Sequence, residues 1–349
     1  MQETIAVRPG EEIDQIGLSR FLGSSGISGQ IDIRQFPGGS SNLTYLIKVG
    51  NNEYVLRRPP FGNNVRTAHD MGREYRVLSK LSTAYLPAPK PLLFCEDASV
   101  IGAEFYLMER RRGRIIRGNA PQELASSATL QQDVCRSFIR NLAELHSVDY
   151  SAAGLGDLGK PEGYALRQVE GWTKRYFAAK TNEWPDLEAS IEWLNTNIPA
   201  ESGASLVHND YKFDNVILDP EDMTVITAVL DWEMVTIGDP LMDLGTSLGY
   251  WMSKESGEEM LDMPFNPRIL MERISRTELV EMYVSTTGRD ISNILFYYVF
   301  GTIKIAAICQ QIYARYLKGF TRDPRFCRFD LIVSKLGRFA AAAIETGTI

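Results

Sequence analysis

The chain has 349 residues, 44% of them apolar and 23% charged, with a formal net charge of −7. That length can bury a substantial core and is long enough for two lobes. The composition is that of an ordinary globular protein, and the acidic balance argues against an extended nucleic-acid surface. The opening residues lack the basic-then-apolar pattern of a secretory signal. The most apolar stretch, 294–308, contains Lys304 and reads as a buried helix rather than a membrane span. Cys95, Cys135, Cys309 and Cys327 are scattered without metal-ligand spacing, so buried thiols in a reducing compartment are expected, and the expected location is the cytoplasm.

Asp14 is placed to cap a short first helix through Phe21 and Leu22. Strands are expected at 31–36, 43–49 and 54–57. Between the first two lies FPGGSSN, in which Gly38 and Gly39 permit a tight turn close to a ligand. Ser40, Ser41 and Asn42 add donors that can cover phosphates; an ordinary hairpin turn uses the same residues. There is no Gly-Lys-Ser or Gly-Lys-Thr ending, so this is not a Walker loop. Period two puts Val55 and Arg57 on one strand face, where Arg57 can reach phosphate, while Arg58 points away. A helix is expected over 68–81. Its Glu74 either pairs with Arg57 or stands as an exposed helix charge.

Pro87, Pro89 and Pro91 punctuate an extended approach to two further strands, the second ending at Met108 and Glu109. The composition changes there, marking a hinge between a small β-rich lobe and a larger helical lobe, and an adenine fits such a crossover. Arg110, Arg111 and Arg112, extended by Arg114 and Arg117, form ordinary solvated surface or, beside a nucleotide cleft, a phosphate-binding one. Helical spacing runs through 130–146, 165–179 and 187–195, with aromatic residues on the last two that serve packing or shape a pocket. Helices are also expected at 269–286, 291–317 and 329–345.

The densest chemistry lies in LVHNDYKFDNVILDPEDMTVITAVLDWE at 206–233. An apolar entry leads to His208, Asp210, Lys212, Asp214 and Asn215, then two β-branched runs joined by a turn and ending at Asp231. Such runs favour a hairpin, which makes the Asn215 loop and the Asp231 strand end neighbours. One general base and two hard oxygen ligands suit in-line phosphoryl transfer, where the protein mainly positions a hydroxyl and holds magnesium against phosphate oxygens. Asp239 or Asp243, in the Gly-Asp-Pro segment that follows, is placed to accept backbone donors from this loop.

Over most of 30–250 the chain resembles the aminoglycoside phosphotransferase and choline kinase superfamily, relatives of the protein kinases. The resemblance implies that Asp210 is the base or hydroxyl-orienting carboxylate, that Asn215 and Asp231 bind magnesium, and that His208 organises the loop. Arg57 corresponds to the phosphate-contacting strand residue and Glu74 to its helix partner. Asn209 departs from the usual glycine and must distort the turn or adopt a left-handed conformation, which Asn tolerates. YVLRRPP at 54–60, AHDMGREYRVLSKL at 68–81, PKPLLFCEDASVIGAEFYLME at 89–109 and DWEMVTIGDPLMDLG at 231–245 resemble, more narrowly, the kinase domain of the acyl-CoA dehydrogenase 10 and 11 group and its bacterial relatives.

The expected fold is therefore α+β and bilobal, protein-kinase-like, with an N-terminal nucleotide-binding lobe at 1–109 and a catalytic and acceptor-binding lobe at 110–349. Gly38, Gly39, Ser40, Ser41, Asn42, Arg57, Glu74, Met108 and Glu109 form the expected nucleotide-binding set, with ATP and Mg2+ as cofactors. The resemblance implies phosphorylation of an alcohol, foremost that of a hydroxyacyl-CoA such as 4-hydroxyacyl-CoA. An aminoglycoside, choline, homoserine or sugar acceptor is the alternative, and a noncatalytic nucleotide-binding protein the remaining one. A small-molecule acceptor such as a CoA thioester is the expected partner, with no nucleic acid and no membrane; a homodimer stays open.

Overall fold

The structure is a computed structural model and describes residues 3–37, 42–61, 70–117, 120–252, 254–261, 263 and 266–349. Its chain divides into two compact units, Met1–Arg112 with Ala228–Glu233, and Gly113–Thr227 with Met234–Ile349. The first unit thus takes in a short later segment, which a contiguous division near residue 109 does not carry.

In the first unit, helix α1 (Gln15–Ser24) starts where the Asp14 side chain accepts from the N–H groups of Ile16 and Gly17. Strands β1 (Ile31–Gln35), β2 (Leu43–Val49) and β3 (Asn52–Arg58) precede helix α2 (Met71–Ala84), and β4 (Pro91–Cys95) and β5 (Phe105–Glu109) follow it. The sheet order is β1-β2-β3-β5-β4, antiparallel throughout. Leu18 and Leu22 of α1 pack with Tyr45, Ile47, Leu56, Phe105 and Leu107 in one core. Helix α2 begins at Asp70, whose side chain accepts from Arg73 N–H, and buries Glu74 among Met71, Val77, Leu78 and Leu81. Register sets Arg57 of β3 opposite Tyr106 of β5.

The second unit is mainly helical. Helices α3 (Gln122–Ser126), α4 (Ala128–His146), α5 (Tyr164–Ala179) and α6 (Pro185–Thr196) lead to strands β6 (Ser205–Val207) and β7 (Val216–Leu218). Strand β8 (Ile226–Val229) carries the chain into the first unit, and β9 (Thr236–Gly238) brings it back to pair with β6. Then come α7 (Pro240–Gly249), α8 (Glu258–Leu261), α9 (Arg268–Met271), α10 (Arg276–Thr287), α11 (Ile294–Leu317) and α12 (Phe329–Thr346).

Two sequence expectations change here. The helix expected over 269–286 is two, because Ser275 and Glu278 form a reciprocal capping box that starts α10 afresh. Strand β9 was not anticipated; at three residues it is too short to show a period. By length and composition α11 could cross a membrane, yet 78% of its apolar window is buried inside the unit. It packs against α5, α6, α7 and α12 as the core helix. Its crossing with α7 is close: a Cβ added at Gly245 would lie 2.1 Å from the Tyr297 carbonyl oxygen, and one at Gly301 would lie 2.0 Å from that of Gly245.

Candidate active site

The first unit gathers charge around Arg57. Strand β3 buries this side chain, and its guanidinium meets Glu74 of α2 at 2.9 Å, Asp231 at 3.1 Å and Glu233 at 3.7 Å. Glu74 is therefore the buried partner of Arg57 rather than an exposed helix charge. Burial pushes the Glu74 carboxyl up, with Arg57 pulling against it. Asp231 is different in kind: its side chain keeps 35% of its surface exposed, and its backbone is left-handed at φ 68°. Asn42 Nδ2 donates to Glu233 Oε2 at 2.9 Å, which ties the end of the glycine segment to the same cluster. Gly38, Gly39, Ser40 and Ser41 lie outside the described residues.

Met108 is buried in β5. The Glu109 N–H donates to the Lys90 carbonyl, and the Glu109 carboxylate accepts from Lys90 N–H and pairs with Arg111 at 2.7 Å. Each arginine of the run is engaged with a carboxylate of the unit that holds it. Arg110 and Arg112 share Glu53, Arg110 also meets Glu3 at 2.6 Å, Arg114 meets Glu123 at 3.0 Å, and Arg117 meets Asp214 at 3.1 Å. Arg112 and Arg117 remain largely exposed despite these pairings.

The second unit builds a loop around Asp210. Lys212 Nζ lies 2.9 Å from Asp210 Oδ2, the Tyr250 hydroxyl donates to Oδ1 at 2.9 Å, and Asn215 Nδ2 donates to Oδ2 at 3.0 Å and to the Asp210 carbonyl at 2.9 Å. Burial alone would raise the Asp210 carboxyl, but Lys212, His208 and Lys304 together hold it below the ordinary aspartate range. His208 is fully buried, and its Nδ1 accepts the Asp210 N–H at 3.2 Å.

Main-chain bonds to α7 support this loop. Asp243 accepts the N–H of His208 at 2.6 Å and of Asn209 at 2.8 Å, and it faces His146 Nε2 at 3.2 Å. Burial works against the Asp243 charge, but His146 and the loop donors hold its carboxyl low. Asp239 instead caps α7 at Leu241 N–H and takes the Tyr297 hydroxyl at 2.9 Å. Of the two acids in the Gly-Asp-Pro segment, Asp243 is thus the one under the loop. Asn209 takes the left-handed conformation, φ 69°.

Each unit therefore holds part of the set named from the sequence: Arg57, Glu74, Asn42 and Asp231 in the first, His208, Asp210 and Asn215 in the second. Tyr250 and Tyr164 escaped the sequence reading because nothing in their own neighbourhoods marks them, and Lys304 stood out there only as a charge in a buried helix. Lys212 was visible in the polar cluster, two residues past Asp210, a spacing that lets it fold back onto the carboxylate.

A five-stranded antiparallel sheet with one helix over an Arg–Glu pair, and a helical unit carrying an Asp–Asn loop, define a protein-kinase-like phosphotransferase. Residues 32–265 match the Phosphotransferase enzyme family, and the chain belongs to it. Acyl-CoA dehydrogenase family member 11 of Gallus gallus is 36% identical over 329 residues, which are 90% of this chain and 41% of the relative. The chain thus spans about two fifths of the length of the curated relatives it matches. A Ralstonia eutropha protein assigned by name to the aminoglycoside phosphotransferases superimposes with a TM-score of 0.81 at 30% identity, over 96% of this chain and 99% of its own. A thermostable mutant of aminoglycoside phosphotransferase APH(4)-Ia, in ternary complex with ADP and hygromycin B, shares the fold at a TM-score of 0.57 and 17% identity, over 91% of this chain and 98% of its own.

Proposed function

We propose that this phosphotransferase moves the γ-phosphoryl group of ATP to the hydroxyl of a small molecule, foremost a hydroxyacyl-CoA. The observation that carries the reaction type is the Asp210 carboxylate, gripped on both oxygens by Lys212, Tyr250 and Asn215. A carboxylate fixed so firmly and held at low basicity is suited to aim an alcohol rather than to strip it early. In a loose phosphoryl transfer that is what the base has to do. The alcohol oxygen bonds to the γ-phosphorus, the bond from that phosphorus to the bridging oxygen breaks, and the alcohol proton passes to an Asp210 oxygen as ADP departs.

In the first unit Arg57 would contact phosphate and Asp231 would offer an oxygen to magnesium; in the second unit Asn215 is the side chain that would offer one. The donor chemistry of the first unit fits a divalent cation: three carboxylates stand within 4 Å of one guanidinium, and Asp231 and Glu233 are only partly buried. Among the described residues no three His, Cys, Asp or Glu side chains form a metal cage. Magnesium does not require one, because it takes one or two protein oxygens and fills its octahedron with water and phosphate. Bound there, it would neutralise charge on the phosphate oxygens.

The acceptor rests on likeness: a relative over most of this chain is named for acyl-CoA dehydrogenation. The ion-paired arginine run lends that choice no support. Turnover of ATP by the purified chain, with defined hydroxyacyl-CoAs, aminoglycosides and small alcohols, tests it by product mass. Phosphorylated hydroxyacyl-CoA is the expected product. Product from an aminoglycoside alone sinks the CoA assignment, and no product from any alcohol while ATP binds sinks the kinase reading.

A further inference from the structure

The most apolar helix of the second unit carries a buried cation. Lys304 lies midway along α11 and is 1% exposed. No carboxylate comes within 4.0 Å of its ammonium group among the described residues; the hydrogen bond it makes runs to the Asn209 carbonyl, at 2.6 Å. The Trp172 ring of α5 lies under it, with the ring centroid 5.6 Å away. A charge so placed is costly unless it holds something in return.

What it holds is an unusual residue. Asn209 is left-handed without being glycine, a conformation that persists only where the surroundings over-determine it. All of its polar groups are engaged. Its N–H donates to Asp243 Oδ1, its side-chain oxygen accepts from the Tyr164 hydroxyl at 2.9 Å, and its Nδ2 donates to the Met234 carbonyl at 3.0 Å. Its own carbonyl takes Lys304. That carbonyl and the N–H of Asp210 are opposite edges of one rigid peptide plane. Lys304 pins one edge and His208 Nδ1 the other, so the plane that leads into Asp210 can neither flip nor tilt.

We propose that Lys304 is a positioning residue for phosphoryl transfer, fixing through the Asn209 carbonyl the peptide plane that presents Asp210. The assignment rests on the reading that Asp210 orients the acceptor hydroxyl. Tyr164 has the same task from the side-chain end of Asn209. Together they account for an asparagine at a position where the family resemblance leads one to expect glycine: the added side chain is itself a handle.

The test is Lys304→Met in the full chain, which keeps the apolar stem and removes the donor. The expected result is a melting temperature equal to or above that of the unaltered chain, a kcat lowered roughly 10- to 100-fold, and a KM for ATP within about twofold. Amide hydrogen exchange at 208–212 should quicken while α7 keeps its protection. Tyr164→Phe should lower kcat less. Adding it to Lys304→Met should cost less than the product of the single effects, since both act on one residue. An unchanged kcat in Lys304→Met, or a loss of kcat that simply follows a fall in melting temperature, overturns the proposal. If the unaltered chain phosphorylates no alcohol, the exchange measurement decides alone: faster exchange at 208–212 upholds the pinning of the plane, and unchanged exchange overturns it.

Discussion

The two charged clusters solve opposite problems. Around Arg57 the side chains do the work, and they are out of balance: one guanidinium faces Glu74, Asp231 and Glu233. Around Asp210 cations meet the carboxylate, with Lys212 in contact, and the loop that carries it is held through its main chain by Asp243, Lys304 and His208. The first cluster sets three carboxylates around the Arg57 guanidinium, with Arg73 donating to the Glu233 carbonyl beside them, so what it offers is charge. The second has its charge satisfied, so what it offers is position. A phosphotransferase needs both, and this chain keeps them in separate compact units.

The comparison breaks most sharply at Asp210. Asp210→Asn should lower kcat about a thousandfold while leaving nucleotide affinity unchanged, as measured by turnover and by ATP titration. Near-normal turnover would show that the loop positions something else.

Arg57→Met tests the opposite claim, that the first cluster depends on charge. It strands Glu74 in the core, and denaturant unfolding should show a loss of about 3–5 kcal/mol. Adding Glu74→Leu should restore most of it. A loss under about 1 kcal/mol in the single variant would mean that Glu74 finds another partner or a proton.

A third effect separates the clusters by pH. Burial lowers the Lys304 pKa to about 8, against the pull of Asp243 and Asp210 and with Lys212 and Arg175 adding to the push. The unfolded chain keeps that proton to about pH 10.4. Between those values the unfolded state binds more protons, so stability should rise with pH. The penalty is fully present below pH 8 and is relieved towards pH 10. Lys304→Met should therefore be more stable than the unaltered chain at neutral pH, by on the order of 3 kcal/mol at most, and should lose that advantage by pH 10. Equal stability curves against pH would contradict this.

The smallest effect is expected at Arg112, whose side chain is 71% exposed beside Glu53. Arg112→Ala should change stability by no more than about 0.5 kcal/mol and leave the KM of any CoA substrate unaltered. A large rise in that KM would return the arginine run to the acceptor site.

Much of the first unit was legible because its signals are local. Asp14 and Asp70 cap their helices, period two marks the strands, and Arg57 and Glu74 sit where a strand and a helix can meet. The loop at 208–215 was legible for the same reason, its residue types and spacing being adjacent in the chain. What could not be read was the support from afar. Lys304 reaches Asn209 across 95 residues, and Tyr164 reaches it across 45. A lone lysine in an apolar run shows only that a charge is buried, and its partner is fixed by the α7–α11 crossing at Gly245 and Gly301. The ion pairs of the arginine run were hidden for a related reason, since Glu53 lies 57 residues before Arg110 and carries no sign of the pairing.

The later strand of each cluster also sets an order of manufacture. A ribosome releases Arg57 174 residues before Asp231, and the Asn209 loop 95 residues before Lys304. Until α11 emerges, α5, α6 and α7 lack the helix they pack against. The growing chain must therefore carry an unfinished second unit through most of its synthesis, its exposed apolar faces open to chaperones and proteases. Truncations that end between residues 233 and 294 should consequently leave the first unit with all of its residues and the second without its core helix, so that the second unit alone is lost to proteolysis.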